Sequence, residues 1–220
     1  MPEPHHWRTG CEAANLERNV NTAMARILRA AFPAICLAVA PAAAQDDWTA
    51  IEKVETYAIS GDSGPALYAS IGARGPKLGP TRAIAYTNPT LTWRRDYQKR
   101  GDSCVLVTAR PKLTIVYKLP KPAGKLPAET AARWKTFIDG IAAHERVHGD
   151  FLKEMVGKIV AATEGLTVQG DPGCTKIREE VVKHVGALFQ IQRQQGRDFD
   201  RAEMSDGGNV HQLILGLVNG

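Results

Sequence analysis

The sequence predicts an α+β fold, in which a small antiparallel sheet in the N-terminal half packs with a long helix and a second, C-terminal helix. Two observations indicate this class. Before residue 118, several runs are rich in β-branched residues, which favour extended strands. After residue 127, apolar residues recur every three or four positions, which is the period of an amphipathic helix. With 220 residues, the chain is long enough for one or two domains.

The N-terminal stretch is predicted to be a leader and not part of the fold. After Met24, two arginines precede an apolar run at residues 30–40, which small residues follow. This order predicts a signal peptide at residues 24–44, and the run is too short to remain as a stable membrane anchor. Because a signal peptide begins the chain, the polar residues 1–23 are interpreted as a mis-assigned, disordered start. The alternative is that residues 30–40 form a buried helix.

Short strands and turns are predicted for the first half of the remaining chain. Glycine and proline pairs separate the runs and mark turns. The predicted elements are a strand at Ile51–Ile59, a short helix at residues 65–73, an alternating strand at 83–95 interrupted at Asn88-Pro89, and strands at 104–108 and 113–117 separated by Pro111.

A long helix is predicted from about residue 127 to residue 163. Gly140, Gly149 and Gly157 lie inside it, and each costs roughly 1 kcal/mol relative to alanine in a helix interior. Either another element packs very close to these glycines or the helix breaks. A second helix is predicted at residues 175–195, and the residues after it are expected to fray.

Within the long helix, the sequence reads His144-Glu145-Arg146-Val147-His148. Residues four apart lie on one face of a helix, which is the spacing at which two imidazoles bind one Zn²⁺ ion. Glu145 then lies beside the open coordination position, where a general base is needed. The histidines continue an apolar stripe and therefore face the interior. The alternative is that they are core residues bonded to backbone carbonyls.

Four cysteines are present, and loss of the leader removes two of them. The remaining Cys104 and Cys174 predict one disulfide that joins a strand to a later loop of an exported protein. The alternative is that one of these thiolates binds zinc. The net charge of +5 comes from scattered basic residues, a pattern that argues against a nucleic-acid partner.

The leader, the strand-rich half, the helix with His-Glu-x-x-His and the pair Phe199-Asp200 together resemble the DUF922 family of predicted secreted zinc-dependent proteases. The resemblance covers most of residues 50–208. It implies a single zincin-like metallopeptidase domain at residues 45–220, located in the periplasm or secreted. It also implies a Zn²⁺ cofactor and a protein or peptide substrate, which a zinc-activated water hydrolyses with Glu145 as general base.

The third zinc ligand is less directly indicated. The family pattern near the C-terminus is aromatic-Asp-x-x-Thr-x-His-Gly, which supplies a further histidine. Counted from Phe199-Asp200, the histidine position falls on Ser205, and counted back from the glycine it falls on Asp206. A carboxylate is a good zinc ligand, so Asp206 is the predicted partner of the two motif histidines. The open alternatives are Glu203, His184 and His211.

The departure at Ser205 also leaves the function open. A second hypothesis is a catalytically degenerate envelope protein that binds zinc or a peptide without turnover. A third is a structural envelope protein whose motif histidines are ordinary core residues. The active peptidase requires three protein ligands, because two alone bind the metal weakly.

Overall fold

The computed structural model describes residues 48–219, so the predicted leader at 24–44 and the stretch 1–23 lie outside the described residues. The α+β class is confirmed, with the sheet, the long helix and the second helix where the sequence predicts them. In chain order the elements are β1 (Ile51–Ile59), α1 (Gly64–Arg74), β2 (Lys77–Leu78), β3 (Thr81–Arg82), β4 (Tyr86–Arg100), β5 (Ser103–Pro122), α2 (Ala128–Thr163), β6 (Thr167–Val168), α3 (Lys176–Met204) and α4 (Asn209–Val218).

The main sheet has the order β1-β5-β4, and the short β6 pairs with the beginning of β5. Strands β4 and β5 form a long antiparallel hairpin. Strand β1 instead runs parallel to β5, so the sheet is mixed and not wholly antiparallel as predicted. Parallel neighbours need a long connection, and here α1, the β2–β3 hairpin and β4 all lie between them in the chain.

Both strands of the hairpin run through prolines that were predicted to interrupt them. Pro89 lies on β4, which is an edge strand of the main sheet, where a missing N–H is tolerated. Pro111 lies on β5 before the pairing with β1 begins at Thr114, so one side of β5 is open there. The irregularity of the hairpin falls instead between Asp96 and Tyr97.

Helix α2 is unbroken over its 36 residues, and other elements pack directly against Gly140 and Gly149. A Cβ atom at Gly140 would collide with Leu213 of α4, and one at Gly149 would collide with the hydroxyl of Tyr117 on β5. Of the two possibilities that the sequence leaves, close packing is therefore the one realised.

Two apolar clusters form along α2. The first surrounds Phe137 and Ile141, where α1, α4 and the ends of β1 and β5 meet. The second surrounds Leu152 and Ile159, which pack on the middle of β5. The motif histidines lie on α2 between these two clusters. The packing on both sides therefore fixes the part of the helix that carries them.

The segment after residue 195 differs most from the prediction. Helix α3 continues nine residues further, to Met204, and the tail that was expected to fray forms α4. Val210 and Leu217 of α4 are buried in the first apolar cluster, which explains why this segment is ordered. Within residues 48–219, no helix has the length and apolar character that crossing a bilayer requires.

The predicted disulfide is confirmed, since Cys104 at the start of β5 is bonded to Cys174 in the loop before α3. Both sulfurs are used in this bond, so neither cysteine is a zinc ligand. The bond holds the first turns of α3 against the sheet, where Ile177 and Val181 are buried. Helix α3 is thereby anchored at the end far from the motif histidines.

Candidate metal centre

His144 and His148 project from consecutive turns of α2 toward α3. Their Nε2 atoms lie 3.2 Å apart, and their ring centroids are 4.9 Å apart. Both rings therefore present the same nitrogen to one point, as the spacing of the motif predicts. His144 is buried, and His148 is 16% exposed on the side of the cleft described below.

A third ligand atom reaches the same point from α3. Asp200 Oδ1 lies 2.8 Å from His148 Nε2 and 3.3 Å from His144 Nε2. In a tetrahedral zinc site with bonds of about 2.0–2.1 Å, neighbouring ligand atoms are roughly 3.3 Å apart. The three atoms therefore outline one face of such a tetrahedron. Two imidazoles and one carboxylate also match the donors of catalytic zinc sites, so the residues present fit a zinc ion.

The predicted third ligand, Asp206, does not lie in this group. Asp206 is exposed in the turn after α3, and Asp200 occupies the position beside the histidines. The reason is that α3 stays helical to Met204 and presents Asp200 to α2. His184 and His211 lie elsewhere: His184 neighbours Glu180 on α3, and His211 Nδ1 accepts a hydrogen bond from the backbone N–H of Gly207.

Glu203, another candidate ligand, faces the opposite side of the His144 ring. Its Oε2 atom lies 3.6 Å from His144 Nδ1, and Asn209 Nδ2 donates a hydrogen bond of 3.0 Å to the same oxygen. Metal-bound histidines typically direct their second ring nitrogen at a carboxylate of this kind. Glu203 is therefore placed to orient His144 and lies outside the group of three ligand atoms.

The surroundings of His144 favour a positive charge. His144 Nδ1 is buried without a hydrogen-bond partner among residues 48–219, and the carboxylate of Glu203 lies 3.6 Å from it. A proton on Nδ1 suits that carboxylate, but it leaves the bare Nε2 facing Asp200. Either a second proton or a metal ion at Nε2 resolves this. Burial opposes the second proton, yet the hydrogen bond with Asp200 and the nearby carboxylate charges outweigh burial and raise the pKa of His144.

The carboxylate of Asp200 is held in its charged form. Burial alone would raise its pKa, but hydrogen bonds and charge interactions with both histidines dominate and lower the pKa well below the usual range. The neighbouring Phe199 stacks on His144 with ring centroids 4.7 Å apart and planes 18° from parallel. The pair Phe199-Asp200 thus contributes one contact that fixes the ring and one that binds its nitrogen.

Glu145, the predicted general base, is 6% exposed and lies next to the histidines on the cleft side of α2. Burial raises the pKa of its carboxyl group, and the hydrogen bond from Thr87 opposes that shift in part. The Thr87 hydroxyl lies 2.5 Å from Glu145 Oε2 and 3.0 Å from the Glu145 carbonyl oxygen. Strand β4 therefore fixes the orientation of the base.

A cleft of about 700 Å³ opens onto this cluster. Helix α2 forms its floor, α3 forms one wall, and the segment from β2 to the beginning of β4 forms the other. Most lining side chains outside the cluster are apolar, among them Leu78, Ile84 and Met204. The polar lining residues are Tyr68, Arg82, Tyr86, Thr87, Gln192 and Arg193.

The site residues that the sequence did not predict are Asp200, Thr87 and Asn209. A signal for Asp200 was present in the pair Phe199-Asp200, which was used only to align the family pattern. Thr87 and Asn209 carry no local signal, because their roles depend on contacts across 58 and six residues of chain that only the folded structure brings together.

No curated protein matches the chain, and no solved structure does. The model of one family, described as a bacterial protein of unknown function (DUF922), matches residues 54–208. The matched segment covers more than half of the chain and contains the two histidines, Glu145, Asp200 and Glu203. The chain belongs to the DUF922 family.

Proposed function

We propose that this protein is an exported zinc-dependent metallopeptidase. The observation that carries the proposal is the convergence of three ligand atoms, from His144, His148 and Asp200, beside a buried glutamate at the base of an open cleft. A purely structural cluster has no need to direct three ligand atoms at one point next to a solvent-accessible cleft.

In this proposal Zn²⁺ supplies a Lewis acid, which activates water and polarises a carbonyl group. Glu145 takes a proton from the attacking water and then delivers it to the leaving amine, as general base and then general acid. Its raised pKa suits both transfers, because a carboxyl group with a pKa nearer neutrality also donates the proton more readily. Thr87 holds the carboxylate in place through its hydrogen bond.

A peptide substrate is supported by the position of β4. This strand is at the edge of the main sheet, and its first two residues, Tyr86 and Thr87, line the cleft together with the two residues before them. An extended peptide adds to such an edge through main-chain hydrogen bonds. Tyr68 and Tyr86 also line the cleft, and their hydroxyl groups are our candidates for stabilising the oxyanion that forms on the scissile carbonyl.

Export is supported by the sequence of residues 24–44 and by the Cys104–Cys174 disulfide. Disulfides persist mainly in oxidising compartments, such as the periplasm or the extracellular medium. We therefore assign the protein to one of these two locations.

The test is a comparison of wild type with Glu145→Gln, using Glu154→Gln as a control at an exposed glutamate on the same helix. Both variants should bind one zinc per chain. Cleavage of a synthetic peptide library, followed by mass spectrometry, should be abolished by a chelator and fall by about 10²–10⁴-fold in Glu145→Gln only. Undiminished cleavage by Glu145→Gln would contradict the mechanism.

A second candidate function is zinc or peptide binding without turnover. It is favoured by Ser205, which stands where the family pattern has a histidine. This candidate predicts that the wild type binds zinc and cleaves nothing in the same library. The peptidase proposal takes Asp200 as the third ligand, and it therefore predicts instead that Ser205→His leaves the rate of cleavage unchanged.

A further inference from the structure

The charges that line the cleft are unevenly distributed. Within residues 48–219, the lining carboxylates are Glu145 and Asp200, and both belong to the candidate metal centre. The other charged lining residues are Arg82 and Arg193. Away from the centre, the cleft is therefore apolar with two guanidinium groups, one on each wall.

Arg193 differs from the other arginines of α3 in having no partner within the described residues. Arg201 pairs with Asp198 at 2.8 Å, Arg197 bonds to Gln194, and Arg178 lies 4.1 Å from the centre of the Tyr97 ring. No carboxylate among residues 48–219 forms an ion pair with Arg193, whose side chain lines the cleft. Its donors are therefore free for a ligand.

The distance from Arg193 to the metal centre suits a peptide. Arg193 precedes Asp200 by seven residues, so it lies on the same face of α3, about 10.5 Å along the axis at 1.5 Å per residue. An extended peptide advances about 3.3 Å per residue. A substrate lying along α3 therefore presents its third residue from the reacting carbonyl to Arg193.

Arg82 stands on the opposite wall and is held by the fold. Its Nη1 atom donates a hydrogen bond of 2.6 Å to the carbonyl oxygen of Gly75, which fixes one end of the guanidinium group. The remaining donors are not used in any ion pair within residues 48–219. Arg82 therefore adds positive potential to the cleft from a defined position.

We propose that the cleft selects peptides that carry a carboxylate about three residues from the bond to be cleaved, and that Arg193 recognises this group. The inference rests on the proposed peptidase function, for which it names the substrate class. The carboxylate belongs either to an aspartate or glutamate side chain or to the C-terminus of the peptide. Arginine binds both in the same way, through paired N–H donors.

The test measures binding and does not depend on turnover. Zinc-loaded Glu145→Gln protein is titrated into dye-labelled apolar heptapeptides with amidated C-termini, each carrying one aspartate at a different position. Matched peptides carry asparagine instead, and a third set has a free C-terminal carboxylate. Fluorescence anisotropy should show about three- to tenfold tighter binding for aspartate at one position, the range expected of a partly exposed charge pair.

Adding Arg193→Gln should remove this preference, whereas Arg197→Gln, at an exposed arginine on the same helix, should keep it. High salt should also weaken the preference, because the pair is solvent-accessible. A preference confined to free C-termini supports carboxylate recognition and identifies the terminus as its source. Equal affinities for aspartate and asparagine peptides, or equal losses in the two arginine variants, would overturn the proposal.

Cleavage by the wild-type protein separates this inference from the proposed function. If the wild type cleaves peptides without preference for a carboxylate, the inference fails and the peptidase proposal stands. If the carboxylate preference depends on Arg193 but nothing is cleaved, the peptidase proposal fails and carboxylate recognition stands.

Discussion

Helix α2 carries two polar clusters that differ in how their charges are balanced. In the first, His144 and His148 meet Asp200 of α3. In the second, less than two turns later, Lys153 Nζ lies 2.8 Å from Glu52 Oε1 of β1 and 2.7 Å from Asp150 Oδ1. The Tyr117 hydroxyl on β5 donates a 2.8 Å hydrogen bond to the other oxygen of Glu52. We refer to these as the histidine cluster and the lysine cluster.

In the lysine cluster, the protein supplies both signs of charge. Interactions with Lys153, first of all its hydrogen bond, lower the pKa of Glu52, and the two carboxylates raise the pKa of Lys153. In the histidine cluster, by contrast, carboxylates face both ring nitrogens of His144, and no lysine or arginine among residues 48–219 forms an ion pair with Asp200 or Glu203 there. In the histidine cluster the positive charge therefore comes from a protonated histidine or from a bound metal ion, whereas in the lysine cluster Lys153 supplies it.

The largest expected effect comes from removing a ligand of the histidine cluster. Asp200→Asn and His148→Ala should each lower zinc affinity by more than about a hundredfold. Substituting a residue that only hydrogen-bonds to a ligand typically costs about 10–100-fold. The measurement is a competition titration against a chromophoric chelator. His184→Ala is the matched control, since this half-exposed histidine on α3 is outside the cluster. If His184→Ala and His148→Ala lost zinc affinity equally, the histidine cluster would not be the zinc site, and the comparison of the two clusters would fail.

The next largest effect is on the free energy of unfolding. Zinc should change it by binding at the histidine cluster and not at the lysine cluster. At a free zinc concentration a thousandfold above Kd, the free energy of unfolding should rise by about 4 kcal/mol relative to chelator. Lys153→Met should lower stability equally with and without zinc, whereas Asp200→Asn should lose most of the zinc-dependent gain. Denaturant titrations in zinc and in chelator measure both quantities. If the stability of the wild type did not depend on zinc, the charges of the histidine cluster would be balanced without a metal ion.

The sequence predicted one side of the histidine cluster well. Residues four apart on a helix share a face whatever packs against that helix, so the spacing of His144 and His148 sufficed. The apolar stripe that they continue also indicated which way the rings point. Glu145 followed from the same motif. These predictions depend on local geometry alone, which is why they needed no knowledge of the rest of the fold.

The other side of the cluster depends on contacts between distant elements. Asp200 approaches α2 because α3 continues to Met204, and the sequence did not reveal this length because polar residues dominate after residue 191. Helix α4, by contrast, did carry a local signal that the prediction passed over: Val210, Leu213, Ile214 and Leu217 follow helical spacing, and all four lie in or against the first apolar cluster. The parallel pairing of β1 with β5 likewise depends on the path of the intervening chain, which periodicity does not encode.

A smaller effect is expected at Glu203, which faces His144 Nδ1 and lies outside the group of three converging ligand atoms. Glu203→Gln keeps the size of the side chain but removes its negative charge. The His144 ring should then be less well oriented and less basic, while all three ligand atoms of the histidine cluster remain. Zinc affinity should fall by about 10–100-fold, less than in Asp200→Asn. Glu179→Gln, at an exposed glutamate of α3, is the control for the charge change. A loss at Glu203 as large as that at Asp200 would instead assign Glu203 as a ligand.

The smallest effect is expected in the lysine cluster and depends on pH. Because the pKa of Glu52 is lowered from its ordinary value of 4.5, its contribution to stability is present above that value. It is lost as the pH falls through the lower pKa of the folded state. Glu52→Gln should therefore destabilise the protein above about pH 5 and converge with the wild type in acid.

Denaturant titrations in chelator at several pH values measure the difference between wild type and Glu52→Gln. It should not exceed about 1 kcal/mol, since Glu52 and Lys153 are 37% and 35% exposed and solvent screens the pair. Glu55→Gln, at an exposed position on β1, should show no such pH dependence. Zinc affinity at neutral pH should be the same in all three proteins, because the lysine cluster balances its own charges. A change of zinc affinity in Glu52→Gln would mean that the two clusters are coupled through α2.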